Sequence, residues 1–144
     1  MAHARITRNL EQELEAEQGL SLAEYDVLVQ LAAVESRRLR MSELADRLLL
    51  SRSGATRLID RMEANGLVQR VTCEDDRRGQ WAALTQAGYD RLRRASPTHL
   101  RGVAEHFVER ISRDDHPTLA RLLRQLTEDG LRADRSTRRT KEPA

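Results

Sequence analysis

The sequence predicts a mainly α-helical domain in which a helix-turn-helix is followed by a two-stranded wing and flanked by terminal helices. Three observations carry this. Within Ser51–Asn65, Ala55, Leu58, Ile59 and Met62 recur at i, i+3, i+4 and i+7, one apolar face of a helix. Ser53, Arg57, Asp60 and Ala64 point the opposite way, with Thr56 and Arg61 on the flanks. Ahead of that helix, Leu44, Ala45 and Leu48 mark the inner face of a shorter one, Ser42–Leu48, with only Leu49-Leu50-Ser51 between the two. After it, Leu67–Cys73 and Gln80–Leu84 read as two antiparallel strands around a charged, solvated tip, Glu74–Gly79.

Composition agrees with a helical fold. Of the 144 residues 39% are hydrophobic, 33% charged and 3% aromatic, which leaves little for a large sheet or an aromatic-lined catalytic cleft. The single cysteine cannot form an internal disulfide, no apolar run is long enough to span a membrane, and the amino terminus lacks the apolar core of a signal peptide. A cytoplasmic protein without membrane partners is expected. The net charge of +2 conceals a gradient: residues 1–35 hold 2 Arg against 7 acids, residues 36–80 hold 10 against 7, and residues 81–144 hold 13 Arg or Lys against 9. The basic excess begins where the two-helix unit begins, as in a reader of nucleic acid.

In chain order, residues 4–18 form a helix with a narrow stripe, Ile6, Leu10 and Leu14, suited to packing against a partner chain. Gly19 ends it at the C′ position. Ser21 and Glu24 then form a capping box for a helix running to Ala33, with Tyr25, Leu28, Leu31 and Ala32 on its core side. Leu39–Met41 reads as a short strand, and Ser42 as the cap of the next helix. The turn at Leu49 lacks the Gly or Asn that tolerates positive φ, so it must either bend without positive φ or hold local strain. Asn65-Gly66 stops the second helix. From Thr85, an N-cap, a long helical pattern continues to about Arg110 with Pro97 inside it, where a kink or break is expected. A last helix beginning near Asp114 carries Leu119, Leu122, Leu123 and Leu126 on one face and ends at Gly130, leaving Arg132–Ala144 as a charged tail expected to be disordered. Residues 1–131 are thus expected to form a single domain.

The chemistry sits on Ser51–Asn65. A helix N-terminus attracts phosphate, so Ser51, Arg52, Ser53 and Gly54 can approach a DNA backbone, Gly54 adding no side-chain bulk. Arg57, central on the polar face, can pair bidentately with guanine O6 and N7, and Ser53 and Thr56 can reach base edges or phosphates. Arg52 and Arg61 are better placed for phosphates. Asp60 on the same face would be repelled by phosphate and is expected to brace an arginine. The bland reading, in which these arginines are solvated surface positions, stands beside the functional one. Cys73 is expected to be a packed thiol. His99 and His106 are about 10 Å apart along one helix, too far to share a metal, so neither metal nor cofactor is expected. No nucleophile–base pair, phosphate loop or clustered ligand set indicates an enzyme.

With these residues in view, the chain resembles the MarR family of bacterial winged-helix transcription regulators over about residues 4–128. Three stretches carry the resemblance: Met41-Ser-Glu-Leu-Ala-Asp-Arg-Leu48, the run from Ser51 through Thr56-Arg57 to Gly66-Leu67-Val68, and Asp76-Arg77-Arg78 followed by Leu84-Thr85. The resemblance implies a homodimer whose terminal helices, here 4–18 and 85–129, interlock, while the winged part, 21–84, reads a palindrome in double-stranded DNA. It implies that Arg78 enters the minor groove, that Arg77 is a backbone contact and that Asp76 orients the wing. It further implies a repressor released by a small amphipathic effector bound beside Tyr25. A protein-interaction or architectural DNA-binding module without an effector is the alternative. The first helix starts closer to Met1 than in relatives, so the dimer is expected to lean on the carboxy-terminal helices.

Overall fold

The computed structural model of the chain describes residues 1–73 and 76–126, and of residues 73 and 76–78 the backbone alone. Its elements are α1 (Ala2–Gln18), α2 (Leu22–Ala32), β1 (Arg38–Arg40), α3 (Met41–Arg47), α4 (Arg52–Ala64), β2 (Val68–Cys73), β3 (Asp76–Leu84) and α5 (Gln86–His106). Two short 3-10 turns, Val108–Arg110 and Arg113–Asp115, precede α6, a helix followed over 116–126. The chain parts into two compact units, Met1–His106 and the residues from Phe107 onward. The expected Gly130 stop and the tail 132–144 lie outside the described residues.

Helix boundaries follow local chemistry. Ser21 accepts from the Glu24 N–H while Glu24 accepts from the Ser21 N–H, the reciprocal box expected at the start of α2. Gly19 and Gly66 sit at φ 56° and 70°, ending α1 and α4 in the left-handed region. Leu49 does the same at φ 54°, so the helix-turn-helix carries the strained form of its turn. The Leu50 N–H bonds Ala45 O and the Leu49 N–H bonds Asp46 O, a Schellman closure that holds the turn with the Leu49 side chain 93% exposed.

Several expected boundaries need correction. The first strand is Arg38–Arg40, not Leu39–Met41, because Leu39 faces the core opposite Ala82 and Met41 already begins α3. Arg40, not Ser42, occupies the N-cap of α3, with no side-chain cap bond. The second wing strand begins at Asp76, so Asp76–Gly79 is strand and the tip is shorter than its polar composition suggested. α5 ends at His106 rather than near Arg110, but it runs through Pro97 as a single helix.

The three strands pair in the order β1-β3-β2, all antiparallel, with Leu39 opposite Ala82 and Val71 opposite Trp81. Their inner face joins α2, α3 and α4 in one core of Leu28, Leu31, Leu39, Leu44, Ile59, Met62 and Val68, each 3% exposed or less. This core fixes α4 with its apolar face inward and its polar face out. The stripe on α1 also needs correction: Leu10 and Leu14 are buried within the same chain, against α5, rather than left for a partner. Gly102 explains the close approach, since a Cβ there would lie 2.7 Å from Leu10 Cδ2. In the second unit, Leu122, Leu123 and Leu126 are 44%, 46% and 73% exposed, so the leucine face expected on α6 is mostly open to solvent.

Candidate nucleic-acid interface

α4 presents the surface its periodicity called for. Ala55, Leu58, Ile59 and Met62 are buried, whereas Arg52, Ser53, Thr56, Arg57, Asp60 and Arg61 are exposed. Ser51 is its N-cap: the hydroxyl accepts from the Gly54 N–H at 3.1 Å and lies 3.2 Å from the Ser53 hydroxyl. Gly54 also serves this cap, because an added Cβ would press to 3.1 Å from Ser51 Oγ. The Thr56 hydroxyl donates to Arg52 O at 2.9 Å, which fixes its rotamer and leaves its oxygen able to accept. Arg57 has no side-chain hydrogen bond or ion pair among the described residues, and neither has Arg52.

Other arginines are already engaged. Arg61 Nε donates to Glu24 at 2.9 Å, tying α4 to α2. Burial pushes the Glu24 carboxyl up, but the Ser21 N–H, the Arg61 guanidinium and the Ser21 hydroxyl together outweigh it and hold Glu24 below the usual carboxylate range. A carboxyl depressed in the folded state stabilises above its unfolded pKa and ceases to do so as pH falls through the folded value. Glu24→Gln is therefore expected to cost about 1 kcal/mol at pH 7, discounted for the exposure of Arg61. The difference from the parent protein should shrink towards pH 3 in urea melts. Asp60 braces an arginine, as expected, but the partner is Arg70 of β2 at 2.6 Å. Arg70 also bonds Glu63 at 2.8 Å and reaches Thr56 O, so it locks the wing's first strand to the outer flank of α4.

Sequence reasoning missed part of the surface. Arg40, Met41, Ser42, Arg52, Thr56, Gly79 and Gln80 line a cleft of about 370 Å³ between α3, the start of α4 and the wing. The Arg40 guanidinium lies over the Trp81 ring, 5.4 Å from its centroid, which holds a cation at the cleft. Displacing the N-cap from Ser42 to Arg40 leaves the exposed Ser42 hydroxyl to line this cleft. The sequence signal is an Arg-x-Ser beside a helix start, in which Ser42 reads as the cap although Arg40 holds that position. Asp76, Arg77 and Arg78 lie at the start of β3, Cys73 pairing with Asp76 across the hairpin; their side chains lie outside the described residues.

Tyr25 is 5% exposed and part of the core. Its ring tilts against His99 with centroids 4.5 Å apart, and its hydroxyl donates to Ser96 Oγ at 3.4 Å, so it joins α2 to α5. Burial holds the His99 imidazole below its ordinary value, against the weaker pull of Asp26, and His99 Nδ1 is buried without a hydrogen-bond partner among the described residues.

Known proteins share this arrangement. A MarR family model matches residues 18–79, the span from the end of α1 into the wing. The structure of AbsC from Streptomyces coelicolor, a MarR family transcriptional regulator, is 36% identical, covers 92% of this chain and 88% of that one, and superposes with a TM-score of 0.83. The chain belongs to the MarR family. Another member, Sco3205 from S. coelicolor, solved in complex with DNA, is 35% identical over 89% of this chain and 80% of that one, TM-score 0.82. The transcriptional repressor MprA of Escherichia coli is 32% identical over 94 residues, 65% of this chain and 53% of MprA. The chain thus spans about half the length of that curated relative. Among the described residues, no helix of this MarR-family chain is long and apolar enough to cross a membrane.

Proposed function

We propose that the chain is a sequence-specific regulator of transcription that binds double-stranded DNA as a homodimer, acts as a repressor in the cytoplasm, and is not an enzyme. The observation that carries this reading is Arg57: exposed, central on the outer face of α4, and without an internal partner among the described residues. A guanidinium so presented meets guanine O6 and N7 with no internal ion pair to break. Ser51, Ser53, Gly54 and Thr56 lie on the same helix start, and Arg52 and Arg40 line the adjoining cleft with the charge that suits a phosphate. Arg61 serves in part as a brace, and its phosphate role is secondary. Arg77 and Arg78 are assigned to the wing's DNA contacts and Asp76 to orienting the wing.

Dimerisation is supported by the apolar side chains a single chain leaves exposed, among them Leu100 at 64% and Leu126 at 73%. In this reading residues 1–131 act as one functional domain. A small-molecule effector is assigned to the neighbourhood of Tyr25, where His99 Nδ1 offers an unsatisfied polar atom beside an aromatic ring. Selection from random duplexes should recover a palindrome with half-sites about 34–36 Å apart, bound with steep salt dependence. Gel filtration should give twice the 16.5 kDa of one chain. Recovery of no motif, with salt-independent binding, would favour a protein-interaction module; a stable monomer would remove the dimer.

A further inference from the structure

A cluster of metal-ligating side chains lies away from α4, where α1 meets the end of α5. Glu13 of α1 and Glu105 and His106 of α5 each offer one donor atom, and these atoms all lie within 4.8 Å of one another. The sequence paired His106 with His99 and found no metal spacing; the structure pairs His106 with Glu13, whose Oε1 lies 2.5 Å from Nε2. Glu13 Oε2 is buried and accepts no hydrogen bond from any described residue. Desolvating a carboxylate oxygen without a donor is costly, and a cation is one way to satisfy it. Gly102 makes the room, because a Cβ there would stand 2.5 Å from that same oxygen.

The surroundings also orient the imidazole. The Asn9 side-chain amide lies 3.4 Å from His106 Nδ1. The Asn9 amide nitrogen faces Nδ1, which accepts from it, so Nε2–H donates to Glu13 Oε1. An ion at Nε2 would displace that proton, and the Asn9 amide, turned over, would then accept Nδ1–H as the outer-shell partner that ligating histidines use. Arg101, the nearby cation, is committed to Glu17 of α1. It has only weaker electrostatic interactions with Glu105 and Glu13. No two of the three donor atoms stand more than 4.8 Å apart, so side-chain rotation can bring each to the roughly 2.0–2.2 Å of a Zn–N or Zn–O bond.

We propose that Glu13, Glu105 and His106 bind one divalent first-row transition ion, of which Zn2+ is the best match, with water completing the coordination. One imidazole and two carboxylates make a mixed N/O donor set that favours Zn2+ over Mg2+ or Ca2+, and the two carboxylates balance the ion's charge. The ion ties α1 to the last turn of α5, so it raises thermal stability.

Zinc titrated calorimetrically into the full chain should bind one ion per chain and raise the melting temperature. X-ray absorption of the zinc-loaded, unmutated chain should show a nearest shell of nitrogen and oxygen without sulfur. Glu13→Gln and His106→Gln should each weaken binding by at least about tenfold and abolish the melting shift, and Asn9→Ala should weaken it by about tenfold. His116→Gln should leave it unchanged. Sulfur in the shell would assign the ion to Cys73. That result, unchanged affinity in His106→Gln, or the absence of saturable binding would overturn the proposal.

Discussion

Gly88→Ala is expected to destabilise the protein by about 3 kcal/mol or more, at the upper end for overpacking by one methyl group. The added Cβ would stand 2.0 Å from Leu67 O, 2.9 Å from Leu84 Cδ1 and 3.0 Å from Leu67 C. Two of those atoms are backbone, and the backbone there has no freedom to withdraw. Leu67 O accepts from Thr85 N at 3.3 Å and Thr85 Oγ1 at 3.0 Å, and the Leu67 N–H closes α4 on Met62 O. Thr85 in turn caps α5 by accepting from the Gly88 N–H at 3.0 Å. Moving any of these groups loosens the junction where α4 ends, β2 begins and α5 starts. Gly102→Ala provides the contrast, because its added Cβ meets Glu13 Oε2 and Leu10 Cδ2, both ends of side chains that can rotate. Its cost should be nearer 1 kcal/mol. Urea denaturation of the two variants checks the order. Equal losses would mean that the junction at Leu67 yields more readily than its hydrogen bonds imply.

The features legible in the sequence were those fixed by residues within a turn or two of one another. The apolar face of α4, the Ser21–Glu24 box, the stops at Gly19 and Gly66 and the cap at Thr85 each arise from neighbours along one helix, so their spacing announces them. The strain at Leu49 was legible as a dilemma, and the Schellman bonds decide it in favour of positive φ. What escaped depends on partners far along the chain. The first strand reads as Leu39–Met41 but runs Arg38–Arg40, because its bounds are set by β3, some forty residues later, which pairs with it. Asp76–Gly79 looked like a loop because its residues are polar, yet pairing extends the ladder from Leu84 outward. Asp60 was recognised as a brace, but its Arg70 is ten residues away on another element. The Arg61–Glu24 pair spans 37 residues and was out of reach of any helical spacing rule. Burial of Leu10 rests on Gly102, whose missing side chain has meaning only once α1 lies against it.

Arg57→Ala should lower affinity for the selected operator by about 1–3 kcal/mol and relax preference at one base position in each half-site. The folded state should hardly notice, since Arg57 is exposed and has no side-chain partner among the described residues. Arg52→Ala and Arg40→Ala should behave differently. Both residues line the cleft between α3, α4 and the wing, so each loss should weaken all duplexes alike and reduce the salt slope by about one. Arg61→Ala separates a third class: it removes the Glu24 contact, and its larger effect should fall on stability rather than on base preference. Binding isotherms at several salt concentrations, on the operator and on single-base variants, distinguish the three. A uniform loss in Arg57→Ala, with selectivity intact, would move base reading from Arg57 to Ser53 or Thr56. It would leave Arg57 as one more phosphate contact, because a side chain that reads a base must penalise the wrong base, whereas one that holds a phosphate penalises none.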